Sequence, residues 1–314
     1  MADSGYVSSP LLGDEVILQY DDTFEGLMTA LFVSYEIKPS PIAVVGSQHQ
    51  QLLGVRYEAV ETDEAKAERV IAGIRRTMGN DAYEQIWTAF QSCEPDKGDV
   101  IYRYVRLGMK LGRGIALRLT DPRVMALQAL SHQVGQEAHQ LIQFTRFSKL
   151  EGGVYYGRIT PENNVVPLMM PFFTDRFHVM PFLLHDAGRD IAGVYDTREW
   201  VVASTEEMRL PDTDDDEKYY RSLWKRFYDT VAIRERINPR LRRQHMPHRF
   251  WKNMVEMASF SDADGQPLPT AVSRAAVEAG TVTPPLPLDS RAVEAMRPAS
   301  WAGFPVPSLR GENE

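Results

Sequence analysis

Cysteine is almost missing from this sequence: 314 residues contain one, Cys93. A single thiol excludes an internal disulfide and any multi-thiolate metal site. It also excludes a radical-SAM iron–sulfur cluster within this chain, since such a cluster takes three thiolates. Long apolar runs are missing too. None approaches the roughly 18 residues of a membrane-spanning helix, and the longest are broken by proline or charge, as in VVPLMMPFF. The start, MADSGYVSSPLLGDEV, has neither the basic opening nor the continuous apolar core of a secretory signal. No P-loop, dinucleotide-binding fingerprint, GxSxG elbow or HExxH zinc motif occurs. These absences lead us to expect a soluble, cytoplasmic chain with no membrane contact, no metal site and no cofactor of its own.

What is present reads as a mixed α+β protein with strands clustered rather than alternating strictly with helices. Residues 14–118 read as a mainly helical N-terminal part. VILQYDD is a strand, followed by a helix capped by Asp22 with Glu25 as its capping-box partner and Leu27, Leu31 and Tyr35 on its apolar face. GVRYEAVE is a second strand, and three helices follow, in DEAKAERVIAGIRRTM, DAYEQIWTAF and GDVIYRYVRLGMKLG. Residues 119–210 read as an α+β section. A long helix opens with Asp121 as cap and Pro122 in its first turn, with Leu127, Leu130, Val134, Ala138 and Leu141 as core stripe. After Gly152-Gly153 the pattern turns strand-like, in VYYGRIT, FLLHD, AGVYD and EWVVAS, which predicts a small, mostly antiparallel sheet; PLMMPFFTDRF is a short helix between the first two strands.

Residues 211–260 read as a basic helical segment packed on the same domain. Tyr220, Leu223, Trp224, Phe227, Tyr228 and Val231 fall at helical spacing and predict a buried face, while Glu217 stands four residues before Arg221 in the favourable orientation. Residues 261–314 hold eight prolines and little aliphatic periodicity, which predicts an extended tail.

Charge is the strongest signal. The chain carries 43 acidic and 35 basic residues, net −8. Yet residues 221–252 hold ten basic residues against two acids, a balance of +8, so the rest carries −16. The densest part is RERINPRLRRQHMPHRFWK. Segregated arginine beside aromatic and histidine rings is the footprint of a surface for nucleic acid: guanidinium forks grip phosphate, and rings stack on unpaired bases. The candidates are Arg226, Arg234, Arg236, Arg240, Arg242, Arg243, His245, His248, Arg249, Phe250, Trp251 and Lys252. A solvated face or a dock for an acidic protein is the alternative reading.

Two further constellations stand out. In SHQVGQEAHQLIQF, His132, Gln136, His139 and Gln143 form an uncharged polar strip on one helix face. His132, Glu137 and His139 are candidates for acid–base chemistry, although helical spacing points Glu137 away from the strip, towards the flank of the apolar stripe; a structural hydrogen-bonding role is the alternative. Arg146, Arg158 and Arg176, each beside aromatic residues, either extend a nucleic-acid groove or pair with acids such as Asp175 and Asp186.

Three ordered blocks resemble a bacterial family of unknown function labelled "probable DNA metabolism protein". They are YDDTFEGLMTALFVSYE, EAHQLIQFTRFSKLEGGVYYGRITPENNVVPLMMPFFTDRF and FYDTVAIRERINPRLRRQHMPHRFWK, together spanning residues 15–258. The matching positions are Phe24, Glu25, Glu137, His139, Arg146, Phe147, Arg176, Phe177, Arg236, Asn238, Pro239, Pro247 and Trp251. The resemblance implies a setting in DNA repair or modification beside a radical-SAM protein, which would hold the iron–sulfur cluster and S-adenosylmethionine. Related domains are fused to uracil-DNA-glycosylase-like domains; no such domain is expected within these 314 residues. The leading expectation is therefore a DNA-binding accessory protein presenting damaged or single-stranded DNA to a radical-SAM partner. The alternatives are a nucleic-acid-processing enzyme with a His/Glu site, or a protein-interaction module that does not bind DNA.

Overall fold

The computed structural model describes residues 16–51, 55–205, 217, 220–221, 223–224, 240–241, 244 and 246–257. The expected C-terminal tail lies outside them. The fold is mixed α+β, as the residue patterns predict, and it divides into two units, residues 1–136 with 162–164 and residues 137–161 with 165–314.

The first unit is built on a three-stranded parallel sheet of order β2–β1–β3: β1 Val16–Tyr20, β2 Ala43–Gly46 and β3 Arg56–Ala59. β1 and β3 are the strands read from sequence. β2 escapes the pattern because its four residues lie between polar turns. Helix α1 (Phe24–Glu36) follows β1. Its cap is Thr23, one residue beyond the expected Asp22: the Thr23 hydroxyl accepts from Gly26 N at 2.9 Å. The Asp22 carboxylate is taken by the Ser47 hydroxyl, and its backbone turns to φ 64°. Leu27 and Leu31 are fully buried, as the helical stripe predicts. Tyr35, on the last turn, is half exposed instead, with the Arg106 guanidinium 4.2 Å from its ring centroid.

Helices α2 (Glu64–Met78), α3 (Asn80–Phe90) and α4 (Lys97–Leu111) complete this core. Phe24 meets Trp87 and Phe90 edge-on at 4.9 and 5.2 Å, a geometry that sets ring edges on ring faces. A short 3-10 helix, Gly112–Leu117, leads to α5 (Pro122–Phe144). Asp121 opens α5 as expected, its side chain accepting from Arg123 N at 3.0 Å. The whole predicted stripe from Leu127 to Leu141 is buried. Residues 162–164 belong here because Asn163 accepts from Cys93 N at 3.0 Å and Asn164 donates to the Gln91 side chain at 2.9 Å.

The second unit holds a five-stranded sheet in sequence order: β4 Phe147–Lys149, β5 Tyr155–Ile159, β6 Phe182–Asp186, β7 Ile191–Tyr195 and β8 Trp200–Ser204. Every pairing is antiparallel except β5–β6. That pair runs parallel because α6 (Val166–Arg176) lies between the two strands as a crossover. α6 covers one face of the sheet, where Phe147, Phe173, Phe177 and Phe182 interlock at 5.0–6.2 Å.

The helix expected beyond residue 211 is described at Glu217, Tyr220, Arg221, Leu223 and Trp224, all helical. Its polar residues fasten it. Glu217 accepts from Lys149 N at 3.2 Å and pairs with Arg221, which donates to Ser148. The predicted buried face is not buried where it is described: Tyr220, Leu223 and Trp224 are 54%, 39% and 43% exposed. Phe227, Tyr228 and Val231 lie outside the described residues.

Gly98 tests the packing of the first unit. A Cβ there would stand 2.8 Å from the Val44 carbonyl oxygen and 2.7 Å from the Tyr20 ring. Alanine gains about 1 kcal/mol of helix propensity, but backbone in β2 cannot give way. We expect Gly98→Ala to lower urea-unfolding stability by about 1–3 kcal/mol, and Gly114→Ala, where nothing lies within 4 Å, to change it by less than about 0.5. Equal effects would refute the clash.

Candidate nucleic-acid interface

The arginine-rich segment is described continuously from residue 246 to residue 257, and there its leading feature is burial. Phe250 is 2% exposed and packs on Phe144 of α5 at 6.0 Å between centroids. Trp251 donates its indole N–H to the Met246 carbonyl at 3.0 Å. Asn253 donates to the Thr160 hydroxyl at 3.3 Å. The expected base-stacking role of Phe250 therefore meets a side chain already used as core.

Two ion pairs fix the same segment. Arg249 Nη2 donates to Glu137 Oε1 at 2.9 Å, and Arg146 donates to Glu256 Oε1 through Nη2 at 2.6 Å and Nε at 3.2 Å. Glu137 and Glu256 are 4% and 8% exposed. A carboxylate out of water costs several kcal/mol unless a cation and hydrogen bonds meet it. Arg146 also donates to the Gln143 and Thr145 carbonyls at the end of α5. Both arginines, expected to grip phosphate, are engaged with carboxylates of the fold.

Other candidates are differently placed. Arg158, Arg176, Arg240 and Lys252 are exposed, and no carboxylate among the described residues pairs with them. Arg226, Arg234, Arg236, Arg242, Arg243 and His245 lie outside the described residues, as does the side chain of His248. Tyr220 and Trp224 present rings to solvent, with the Arg146 guanidinium 5.9 Å from the Trp224 centroid. Helical spacing places these rings in a core, so their exposure is the property that spacing conceals.

The polar strip of α5 is exposed at His132, Gln136, His139 and Gln143. His139 and Gln143 lie 2.9 Å apart through Nε2 atoms. Glu137 is turned away into its pair with Arg249, so the structure does not gather the three as a catalytic group. No cluster of three or more His, Cys, Asp or Glu suited to a metal occurs among the described residues, nor does a helix long and apolar enough to cross a membrane.

One polar group carries no signal in the sequence. On the sheet face away from α6, the Tyr156 hydroxyl lies 2.7 Å from His185 Nδ1, and Thr205 Oγ1 lies 3.3 Å from Nε2. Arg158 is the register partner of His185 across the parallel β5–β6 pair. Burial first, then the Arg158 charge, pushes the His185 imidazole below its ordinary range, with Asp190 and Asp186 opposing. Burial likewise raises the Tyr156 phenol. The arrangement holds a neutral imidazole between two hydroxyls beside an exposed guanidinium. Single-sequence patterns cannot announce it, because it depends on a parallel pairing formed across a crossover.

The buried pair and the imidazole each make a measurable demand. Arg249→Ala, which leaves Glu137 buried without its guanidinium, is expected to cost about 3 kcal/mol in urea unfolding, and Arg249→Leu with Glu137→Leu to restore much of it. Equal stability of wild type and single variant would sink this account. For His185, the folded pKa lies below the unfolded value of about 6.5. Its contribution is therefore full above about pH 6.5 and is lost as pH falls through the folded pKa. Stability measured across that window should fall less steeply in His185→Gln; identical slopes would refute the linkage.

A family model described as Domain of unknown function (DUF4130) matches residues 95–256, slightly more than half of the chain. No curated protein matches. Among solved structures, a DHH-domain protein from a family of ribosomal proteins shares 10% identity, with 70% of this chain and 80% of that one covered at a TM-score of 0.28. A likeness at that score carries no argument.

Proposed function

The chain belongs to this DUF4130 family, and from that premise we propose that it is a DNA-binding accessory protein acting in DNA repair or modification. The observation that carries the reading is one of supply. In the second unit, Arg158, Arg176, Arg240 and Lys252 stand exposed with no carboxylate among the described residues pairing with them, and Tyr220 and Trp224, at the start of the basic stretch, expose their rings. Cations that no described carboxylate neutralises can release counterions from phosphate. Exposed rings offer any base a stacking surface regardless of sequence.

The division of labour differs from that suggested by arginine density alone. Arg146 and Arg249 hold the segment in place, and Arg146 supports Trp224 from 5.9 Å, within cation–π range. The exposed arginines and Lys252 carry phosphate contact. Trp224 and Tyr220, rather than Phe250, take an unstacked base. The resemblance of three ordered blocks supports a radical-SAM protein as partner, and that protein would hold the cluster and S-adenosylmethionine.

Fluorescence-anisotropy titration with single- and double-stranded DNA over a salt series tests this. Combined Arg158→Ala, Arg176→Ala and Arg240→Ala should weaken duplex binding and reduce the log–log salt slope by about 0.9 for each phosphate no longer neutralised. Trp224→Ala should cost single-stranded DNA about 1–3 kcal/mol while leaving the slope in place. No wild-type binding at low salt would overturn the proposal.

A further inference from the structure

The first unit carries a second cationic stretch that the basic C-terminal segment overshadows. Residues 100–136 hold six basic residues against a single acid, Asp121, a balance of +5 in a chain of net −8. Three of the six are engaged nearby. Arg103 pairs with Asp99 at 2.6 Å, Arg123 pairs with Asp121 at 2.8 Å, and Arg106 lies over the Tyr35 ring. Lys110, Arg113 and Arg118 are exposed, and no carboxylate among the described residues pairs with them.

Those three stand in a corner that also exposes aliphatic side chains. Leu117 is 86% exposed, the largest value among the exposed large hydrophobics of the described residues; Leu119 and Met125 are 58% and 54%, and Leu111 is 38%. The corner is ordered by its own hydrogen bonds, not an open loop. The 3-10 helix Gly112–Leu117 follows α4 directly, Arg118 N donates to the Ile115 carbonyl, Asp121 N to the Arg118 carbonyl, and Met125 N to the Asp121 carbonyl at 2.9–3.0 Å. Ile115 between them is 1% exposed and anchors the turn in the core. Leucines raised on an anchored turn hold their exposed positions at a standing hydrophobic cost. Surface apolar groups concentrated in this way mark contact sites.

We infer that the corner formed by the end of α4, the 3-10 helix and the first turn of α5 is a docking surface for an acidic segment of a partner protein that carries aliphatic or aromatic side chains. Charge complementarity selects that occupant. Lys110, Arg113 and Arg118 call for carboxylates, and Leu111, Leu117, Leu119 and Met125 call for apolar groups between them. A second copy of this chain would bring the same cations together. Nucleic acid would meet the cations but leave the leucines facing a polar backbone, since such interfaces are more polar than protein–protein ones.

The test uses the full chain and a fluorescein-labelled helical peptide with leucines along one face and glutamates flanking them on both sides. A control peptide replaces each leucine by serine. We expect saturable binding of the first peptide, with shifts of Leu and Met methyl resonances confined to residues 109–125. Leu117→Ser with Leu119→Ser, and separately Lys110→Glu with Arg113→Glu and Arg118→Glu, should each weaken binding at least about tenfold. Because these side chains are exposed, the urea midpoints should match wild type. Equal binding of the control peptide, or an unchanged affinity in either variant, would overturn the inference. So would corner-dependent binding to phosphatidylserine vesicles or duplex DNA in place of the peptide, or corner-dependent self-association in sedimentation.

Discussion

Glu137 and Glu256 are carboxylates placed out of water, and the second unit is organised around meeting them. Glu137 lies on α5 and Glu256 in the C-terminal segment; Arg249 and Arg146 reach them across separations of 112 and 110 residues. One pair joins the C-terminal segment to the second half of α5, the other to Arg146 just beyond the helix. Desolvation makes such pairs costly to break on one side, because the remaining charge stays buried. Phe250 on Phe144 adds the apolar part of the same junction. Local composition makes residues 234–252 look like a free basic arm; the Arg249–Glu137 pair and Phe250 on Phe144 hold its described end, and the Arg146–Glu256 pair fixes the residues just beyond it.

That reversal explains what could be read in the sequence and what could not. Helices α2 to α5 follow from apolar spacing and from caps such as Asp63 and Asp121, because those signals act within a few residues. Strands β1, β5, β6, β7 and β8 follow from short apolar runs between turns. β2 and β4 are four and three residues long, too short for a pattern, and are fixed by their neighbours. The displaced cap of α1 has the same origin: Ser47, 25 residues away, takes the Asp22 carboxylate, and Thr23 caps in its place.

At the candidate interface the sequence conveys residue type but not availability. Arginine count is local, while neutralisation depends on where distant acids fold. Arg146 and Arg249 look equivalent to Arg158 and Arg176 as letters; they differ because Glu256 and Glu137 arrive beside the first two. Helical spacing likewise marks Tyr220, Leu223 and Trp224 as an apolar stripe without saying whether anything covers it. The Tyr156–His185–Thr205 group is invisible for a related reason. Its members sit on β5, on β6 and just after β8, and meet only once the crossover through α6 has set the register.

The two cation-rich stretches separate by the company they keep. Residues 100–136 and 221–252 carry balances of +5 and +8, so the remaining residues carry −21. Around 109–125 the exposed large hydrophobics are all leucine and methionine; among the described residues of 217–257 the rings of Tyr220 and Trp224 are exposed beside Leu223 and Leu241. Aliphatic tips gain only by excluding water against another apolar surface, which suits a protein. Aromatic faces gain by stacking, which suits a base. Cationic charge draws either kind of acidic partner, and the side chains between the charges decide which one is held. On the proposed readings DNA and a second protein would be held by different stretches, and those stretches lie in different units of the chain.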